Sequence, residues 1–278
     1  MEQTHLVIID PQNDFCDPKG TLYVKGAEED MQRLADFLDS PRGDKIQQIS
    51  VTLDSHHYFD IAHPIFWVDS AGNNPAPLAT MISHDDVMNG VWTPKKPGML
   101  QYAQEYTKKL DENGRYPLMV WPTHCVVGTW GSAIHPTLEA ALQRWAARNT
   151  TTIGYVAKGN NPLTEHYSAV KADVPHPRDP STNINTGFIQ SLENADNVLI
   201  AGEASSHCVL YTVRDIADEF GDTNISKLIM LTDAMSPVEA PGVDFPQMAL
   251  DFQSDMQDKG LRLSTTDQWM ASKALGAS

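Results

Sequence analysis

Asp10 closes the apolar run "HLVIID", Lys158 closes "TTIGYVAK", and Cys208 follows "NVLIAGEASSH" at the start of an amphipathic stretch. A cysteine attacks as its thiolate, and a helix N-terminus lowers the thiol pKa through its exposed N–H groups and dipole. A nearby carboxylate can take the thiol proton, and a lysine can hold that carboxylate and the developing charge in place. The turn from Ala204 to Cys208 also offers backbone N–H groups to an oxyanion. Taken singly, Asp10 is a turn or cap residue, Lys158 a solvated strand end and Cys208 a small core residue. Together at strand ends they form the parts of a nucleophilic site.

A second group gathers histidines: "DSHH" from Asp54 to His57, "AHP" around His63, and "WPTHC" around His124. In an extended chain, Asp54 and His56 point to one side because side chains alternate. His124 completes an Asp/His/His set with open positions, a donor chemistry that suits Zn, Mn or Fe better than Ca or Mg. The same histidines also serve as helix caps or core hydrogen bonders, and spacing alone leaves both open. Phe15, Trp67, Trp121 and Tyr167 each adjoin one of these polar candidates. They can wall a flat ring or simply fill the core.

Positioning such residues requires a sheet. Apolar runs ending at Asp10, Asp54, Lys158, near Gly202 and in "SKLIML" alternate with amphipathic helices. Met31, Leu34, Ala35 and Leu38 share a stripe, as do Leu138, Ala141, Leu142 and Trp145, and again Val209, Val213, Ile216, Ala217 and Phe220. The alternation predicts an α/β protein with a mostly parallel sheet covered on both faces and its site at the carboxyl ends of the strands. Residues 64 to 117 break the pattern with Pro, Gly and Asn, save for a short helix near Met99 to Leu110. One domain over residues 1–278 with a long insertion at about 64–117 is expected.

The bulk numbers narrow the classes. The chain has 278 residues, a formal charge of −16 and no run of Lys or Arg, so no basic footprint for nucleic acid. Nothing approaches the ~18 apolar residues of a membrane span. The N-terminus lacks the marks of a signal peptide. Three cysteines in such a chain argue against a disulfide framework and for a cytoplasmic protein.

Five separated motifs, "IIDPQNDFC", "TLDSHH…AHPIFW", "WPTHCVVGTWGSAIHP", "AKGNNPLTEHYSA" and "GEASSHCV", resemble in order those of the isochorismatase-like cysteine hydrolases. They look most like the nicotinamidase branch, over roughly residues 5 to 240. The resemblance implies a three-layer α/β/α sandwich and a catalytic set of Asp10 as general base, Lys158, and Cys208 as nucleophile. It implies a cis peptide at Glu203–Ala204 and an oxyanion hole from the N–H groups of Ala204 and Cys208. It further implies a divalent metal, zinc first, on Asp54, His56 and His124 with His63 as a further ligand. Phe15, Trp121 and Tyr167 match the substrate pocket, and the activity implied is hydrolysis of nicotinamide to nicotinate and ammonia.

The chain departs from the pattern at three places, one of them the stretched spacing from Lys158 to Tyr167. The gap from His56 to His124 is longer than in compact members, and the nucleophile loop carries Glu203 and Ser206. The insertion is therefore a candidate pocket cap or a contact between copies in a homo-oligomer. Three alternatives stand beside the nicotinamidase expectation: a cysteine amidohydrolase for a carbamoyl or ureido compound, a metal-free isochorismatase-type hydrolase, and a non-catalytic relative.

Overall fold

The computed structural model describes residues 2–272. Its frame is six parallel strands: β1 (Thr4–Ile9), β2 (Gln48–Asp54), β3 (Gly154–Lys158), β4 (Asn197–Gly202), β5 (Leu228–Leu231) and β6 (Arg262–Ser264). Their order in the sheet is β6-β5-β4-β1-β2-β3. Every residue of β1 and β4 is buried. Since successive side chains point to opposite faces, both faces of the sheet are covered. The longer helices are α1 (Ala27–Asp39), α2 (Leu100–Glu112), α3 (Pro136–Asn149), α4 (Thr186–Glu193), α5 (Cys208–Asn224) and α6 (Phe245–Asp258). The stripes anticipated on α1 and α3 are buried, and these two helices pack on each other. The run "LRLS" supplies β6, the edge strand beside β5.

The chain moves outward from β1 through β2 to β3 and then returns to place β4 on the other side of β1. That reversal opens a crevice at the carboxyl ends of the central strands. Register fixes what meets there: Ile9 pairs with Gly202, and Asp54 pairs with Lys158. Gly202 has φ +108°, and a Cβ there would fall 2.1 Å from Ile9 O, so only glycine permits this approach.

The stretch from 64 to 117 folds around a small core of its own. Two antiparallel ribbons pair Trp67–Val68 with Thr93–Pro94 and Met81–Ile82 with Leu118–Met119. Phe66, Trp67, Ile82, Val87 and Tyr106 bury against one another there. Trp67 is thus a core residue rather than a pocket wall: it is fully buried, and its Nε1–H donates to Ile61 O at 2.8 Å. The end of the stretch docks on α5. Arg115 makes two 2.9 Å bonds to the Asp215 carboxylate, and the Tyr116 hydroxyl donates to Ser206 O at 3.3 Å. Among the described residues, no helix is long and apolar enough to cross a membrane.

Candidate active site

Asp10 is the first residue after β1 and sits in the left-handed region, φ +44°, an uncommon place for a residue with a Cβ. Thr52 of β2 holds it there. The Asp10 N–H donates to Thr52 Oγ1 at 3.0 Å, and that hydroxyl donates to Asp10 Oδ1 at 2.5 Å. The other carboxylate oxygen lies 2.8 Å from Lys158 Nζ. Lys158 also reaches Asp54 Oδ1 at 3.0 Å, His166 O at 2.8 Å and Cys208 Sγ at 3.5 Å. The three candidates separated along the chain therefore share one buried point, with Lys158 at its centre.

Burial pushes the Asp10 carboxyl above its ordinary value, with Lys158 opposing. Burial lowers an ammonium, but Asp10 and Asp54 outweigh it and hold Lys158 well above the usual lysine range. The Cys208 thiol is also raised, first by burial, with Asp10 and Asp54 beside it and Lys158 pulling the other way. This reverses the low thiol pKa expected from a helix N-terminus. The Cys208 thiol is desolvated, and two carboxylates face it across a single ammonium. A protonated thiol next to a carboxyl group is the resulting resting arrangement.

Asp54 links this cluster to the histidines. Gln12 grips its backbone from both sides, accepting from Asp54 N–H and donating to Asp54 O, each at 2.7 Å. Asp54 Oδ2 lies 3.1 Å from His56 Nε2 and 3.4 Å from His124 Nε2. Against the cost of burial, His56 and Lys158 keep the Asp54 carboxylate well below the usual range. His56, His63 and His124 are all buried, with their ligand atoms within 4.8 Å of one another. Each Nδ1 faces an acceptor: Asp60 Oδ2 at 3.1 Å for His56, Tyr58 O at 3.4 Å for His63 and Pro122 O at 2.8 Å for His124. Acceptors at Nδ1 place the ring protons there and direct Nε2 toward a common point, where His63 Nε2 accepts the His124 N–H at 3.4 Å. Three imidazoles and one carboxylate fit a borderline divalent metal. His57, the fourth histidine nearby, is exposed and outside the group.

Cys125 shapes this side of the site. It adopts φ +45° and donates its N–H to Asp14 Oδ2 at 2.7 Å, while its carbonyl accepts the His56 N–H at 3.1 Å. It is a buried turn residue between two histidines.

A narrow pocket opens between the two clusters. Phe15, Trp121, Tyr167 and His207 are its aromatic walls; Cys208 and Ala204 border it, as do Asp54, His124 and Glu165. Trp121 Nε1–H donates to the Tyr167 hydroxyl at 2.9 Å, which locks the two rings. Of the four aromatic candidates, Phe15, Trp121 and Tyr167 line this pocket and Trp67 does not. Glu165 and His207 are pocket residues that sequence reasoning missed, and Glu165 is the charged one. It is buried, burial pushes its carboxyl up to about 8, and its Oε1 lies 4.0 Å from His56 Nε2. Its signal was available, because two residues before Tyr167 in an extended segment it shares that ring's side.

The loop that leads to Cys208 runs from β4 into α5, with a cis peptide at Glu203–Ala204. Ser206 has a clear task there. Its Oγ accepts the Val238 N–H at 3.1 Å and contacts His207 Nδ1 at 2.8 Å. Burial pulls His207 down to about 3, so the ring is neutral. The hydroxyl proton then goes to Nδ1, and the ring proton sits on Nε2, which has no partner among the described residues. Ser206 therefore sets the tautomer of a pocket wall.

No family model matches the chain. A nicotinamidase of Escherichia coli is 26% identical over 267 residues, 95% of each chain. One from Saccharomyces cerevisiae is 26% identical over 217 residues, 77% of this chain and 81% of that protein. Among solved structures, the yeast nicotinamidase superposes with a TM-score of 0.63 at 20% identity, covering 94% of this chain and 99% of that one. A pyrazinamidase of Pyrococcus horikoshii in complex with zinc gives 0.53 at 16% identity, covering 95% and 99%. An isochorismatase-like hydrolase from Alkaliphilus metalliredigens also gives 0.53, at 17% identity, over 97% and 98%. Five ordered motifs, this sheet and these relatives agree: the chain is similar in sequence to curated nicotinamidases and shares the fold of the isochorismatase-like hydrolases.

Proposed function

We propose that the protein is a cytoplasmic nicotinamidase, a cysteine amidohydrolase that converts nicotinamide to nicotinate and ammonia. The observation that carries this is the meeting of Asp10, Lys158 and Cys208 at one end of an aromatic pocket whose other polar side is the Asp54/histidine group. Asp10 takes the proton of the Cys208 thiol as sulfur attacks the amide carbon. The N–H groups of Ala204 and Cys208 stabilise the oxyanion, each donor being worth on the order of 3 kcal/mol. Asp10 returns the proton to the departing ammonia, and Lys158 keeps its carboxylate in place. Water then hydrolyses the thioester with Asp10 as base. The raised carboxyl of Asp10 suits it to both directions of transfer. Phe15, Trp121 and Tyr167 hold the ring, and the three free cysteines suit a reducing compartment. The whole chain acts as one domain, with the 64–117 insertion supporting the pocket through Tyr116.

Asp54, His56, His63 and His124 would hold a divalent ion, with zinc favoured by the donor set. When bound, such an ion supplies a Lewis acid for the pyridine nitrogen. Asp54→Ala and His124→Ala are expected to weaken metal binding by about 100-fold or more, judged against the loss from mere outer partners. Elemental analysis of the purified variants checks this, and unchanged metal content would remove the assignment. Ser206→Ala frees the His207 ring from its fixed tautomer. Losing a hydrogen bond worth about 1 kcal/mol should lower kcat/KM for nicotinamide roughly fivefold, whereas an unaltered kcat/KM would show the tautomer to be irrelevant.

Ammonia release over nicotinamide and a panel of carbamoyl, ureido and other small amides, with and without a chelator, tests the function. Nicotinamide is expected to lead the panel, and chelation to suppress its turnover. Preference for a carbamoyl or ureido compound would reassign the substrate.

A further inference from the structure

Glu203 has no place in the chemistry above, yet it adjoins Ala204 and is fully buried. Its N–H donates to Ile9 O at 2.7 Å. Its carboxyl is engaged on α1. Oε2 accepts the Ser236 N–H at 3.1 Å, and Oε1 has no donor. Asp30 of α1, itself 3% exposed, brings its carboxyl within hydrogen-bond reach of Glu203. Asp30 Oδ2 accepts the Ser236 hydroxyl at 2.5 Å, and Oδ1 faces the Arg33 guanidinium at 3.6 Å. Two buried carboxylates this close cannot both be ionised. A proton on Glu203 donated to Asp30 gives the bare Glu203 oxygen a role and leaves one negative charge opposite Arg33. The other titratable neighbours are Glu29 on α1 and the buried Cys16 thiol, and neither adds a positive charge.

Ser236 is thereby held at both its N–H and its hydroxyl, and it belongs to the segment along which the nucleophile loop is laced. Ala234 O accepts the Gly202 N–H at 2.9 Å, Ser236 O accepts the Ser205 N–H at 2.9 Å, and the Val238 N–H donates to Ser206 Oγ at 3.1 Å. Val238 also lines the pocket. Ala204 lies in the middle of that lacing.

We propose that Glu203 and Asp30 are positioning residues: one proton shared between their carboxyls fixes the 234–238 segment and so sets the Ala204 N–H at the reacting carbonyl. The positioning role rests on the cysteine amidohydrolase function proposed above. The shared proton has a consequence that does not. Burial, with Asp30 adding to it, raises Glu203 well above the ordinary glutamate value of 4.5. The folded chain then binds a proton that the unfolded chain has released. Stability is fully present below 4.5 and declines as pH rises through the window up to the folded value.

The test measures Tm against pH and kcat and KM for nicotinamide in wild type, Glu203→Leu and Glu203→Gln. Leu keeps the bulk and removes the donor, so kcat should fall about tenfold to a hundredfold, as a slightly misplaced group can cost, with KM little changed. Gln donates an N–H to Asp30 without titrating, so it should restore most of that kcat, flatten the fall of Tm with pH, and move the alkaline limb of kcat upward. Wild-type kcat and KM in Glu203→Leu would overturn the positioning role. A Tm-against-pH slope in Glu203→Gln equal to wild type would overturn the shared proton. A wild type that hydrolyses no amide would overturn the function and with it the positioning role, while the Tm slopes still decide the proton.

Discussion

Cys208→Ala is expected to lower ammonia release from nicotinamide by about 10⁴-fold or more, the scale on which loss of a nucleophile acts. No other thiol can replace it. Cys16 lies in the short helix after Asp10, and Cys125 is committed to the turn between His56 and His124, both fully buried. Burial holds both well above the ordinary thiol value. The substitution removes one small, nearly buried atom, so its stability cost should stay near 1 kcal/mol, below the larger truncations of core side chains. The N–H groups of Ala204 and residue 208 remain, as do the histidines. The variant should therefore keep wild-type metal content and Tm within a few degrees while losing turnover. Steady-state ammonia release and thermal melting on the same preparation check both halves. Near-wild-type release would remove Cys208 as nucleophile.

Lys158→Met carries the second large effect, and it strikes stability as well as turnover. The Lys158 side chain is 1% exposed, and its ammonium is the one cation between Asp10 and Asp54 at 2.8 and 3.0 Å among the described residues. Methionine fills the stem's volume and leaves two buried carboxyls facing each other. Removing one partner from a buried ion pair costs about 3–5 kcal/mol, which for a chain of this size lowers Tm by roughly 10 °C. Turnover should fall steeply as well, because repulsion from Asp54 would keep a proton on Asp10, and a protonated Asp10 cannot accept one from the thiol. Thermal melting at neutral pH reads the first effect and ammonia release the second. A Tm within about 2 °C of wild type would show that the carboxyls do not depend on this ammonium.

The two substitutions also show which parts of the site the residues announce. Asp10, Asp54 and Lys158 were legible because each ends an apolar run, and a parallel sheet delivers such ends to one edge whatever their separation in the chain. Asp54 and His56 were legible because alternation is a local property. Trp67 was left open between pocket and core because an aromatic beside a histidine motif reads alike in either place. The ribbons that bury it are two residues long, too short to leave a period. Glu165 and the Glu203–Asp30 pair were out of reach for another reason. A charged residue in sequence reads as solvated, and only packing reveals that these three are buried. The thiol pKa of Cys208 had the expected helix beside it, but the shift depends on desolvation and on carboxyls contributed by β1 and β2.

Rapid-quench intact mass spectrometry of the metal-loaded protein with nicotinamide, followed by peptide mapping, addresses the central claim most directly. Transfer of a nicotinoyl group to sulfur releases ammonia and leaves a thioester that water must clear. A nicotinoyl adduct on the peptide containing Cys208, formed within the first turnover and absent from Cys208→Ala, is the predicted result. Release of nicotinate with no adduct at any quench time, or an adduct on the Cys16 or Cys125 peptide, would contradict it.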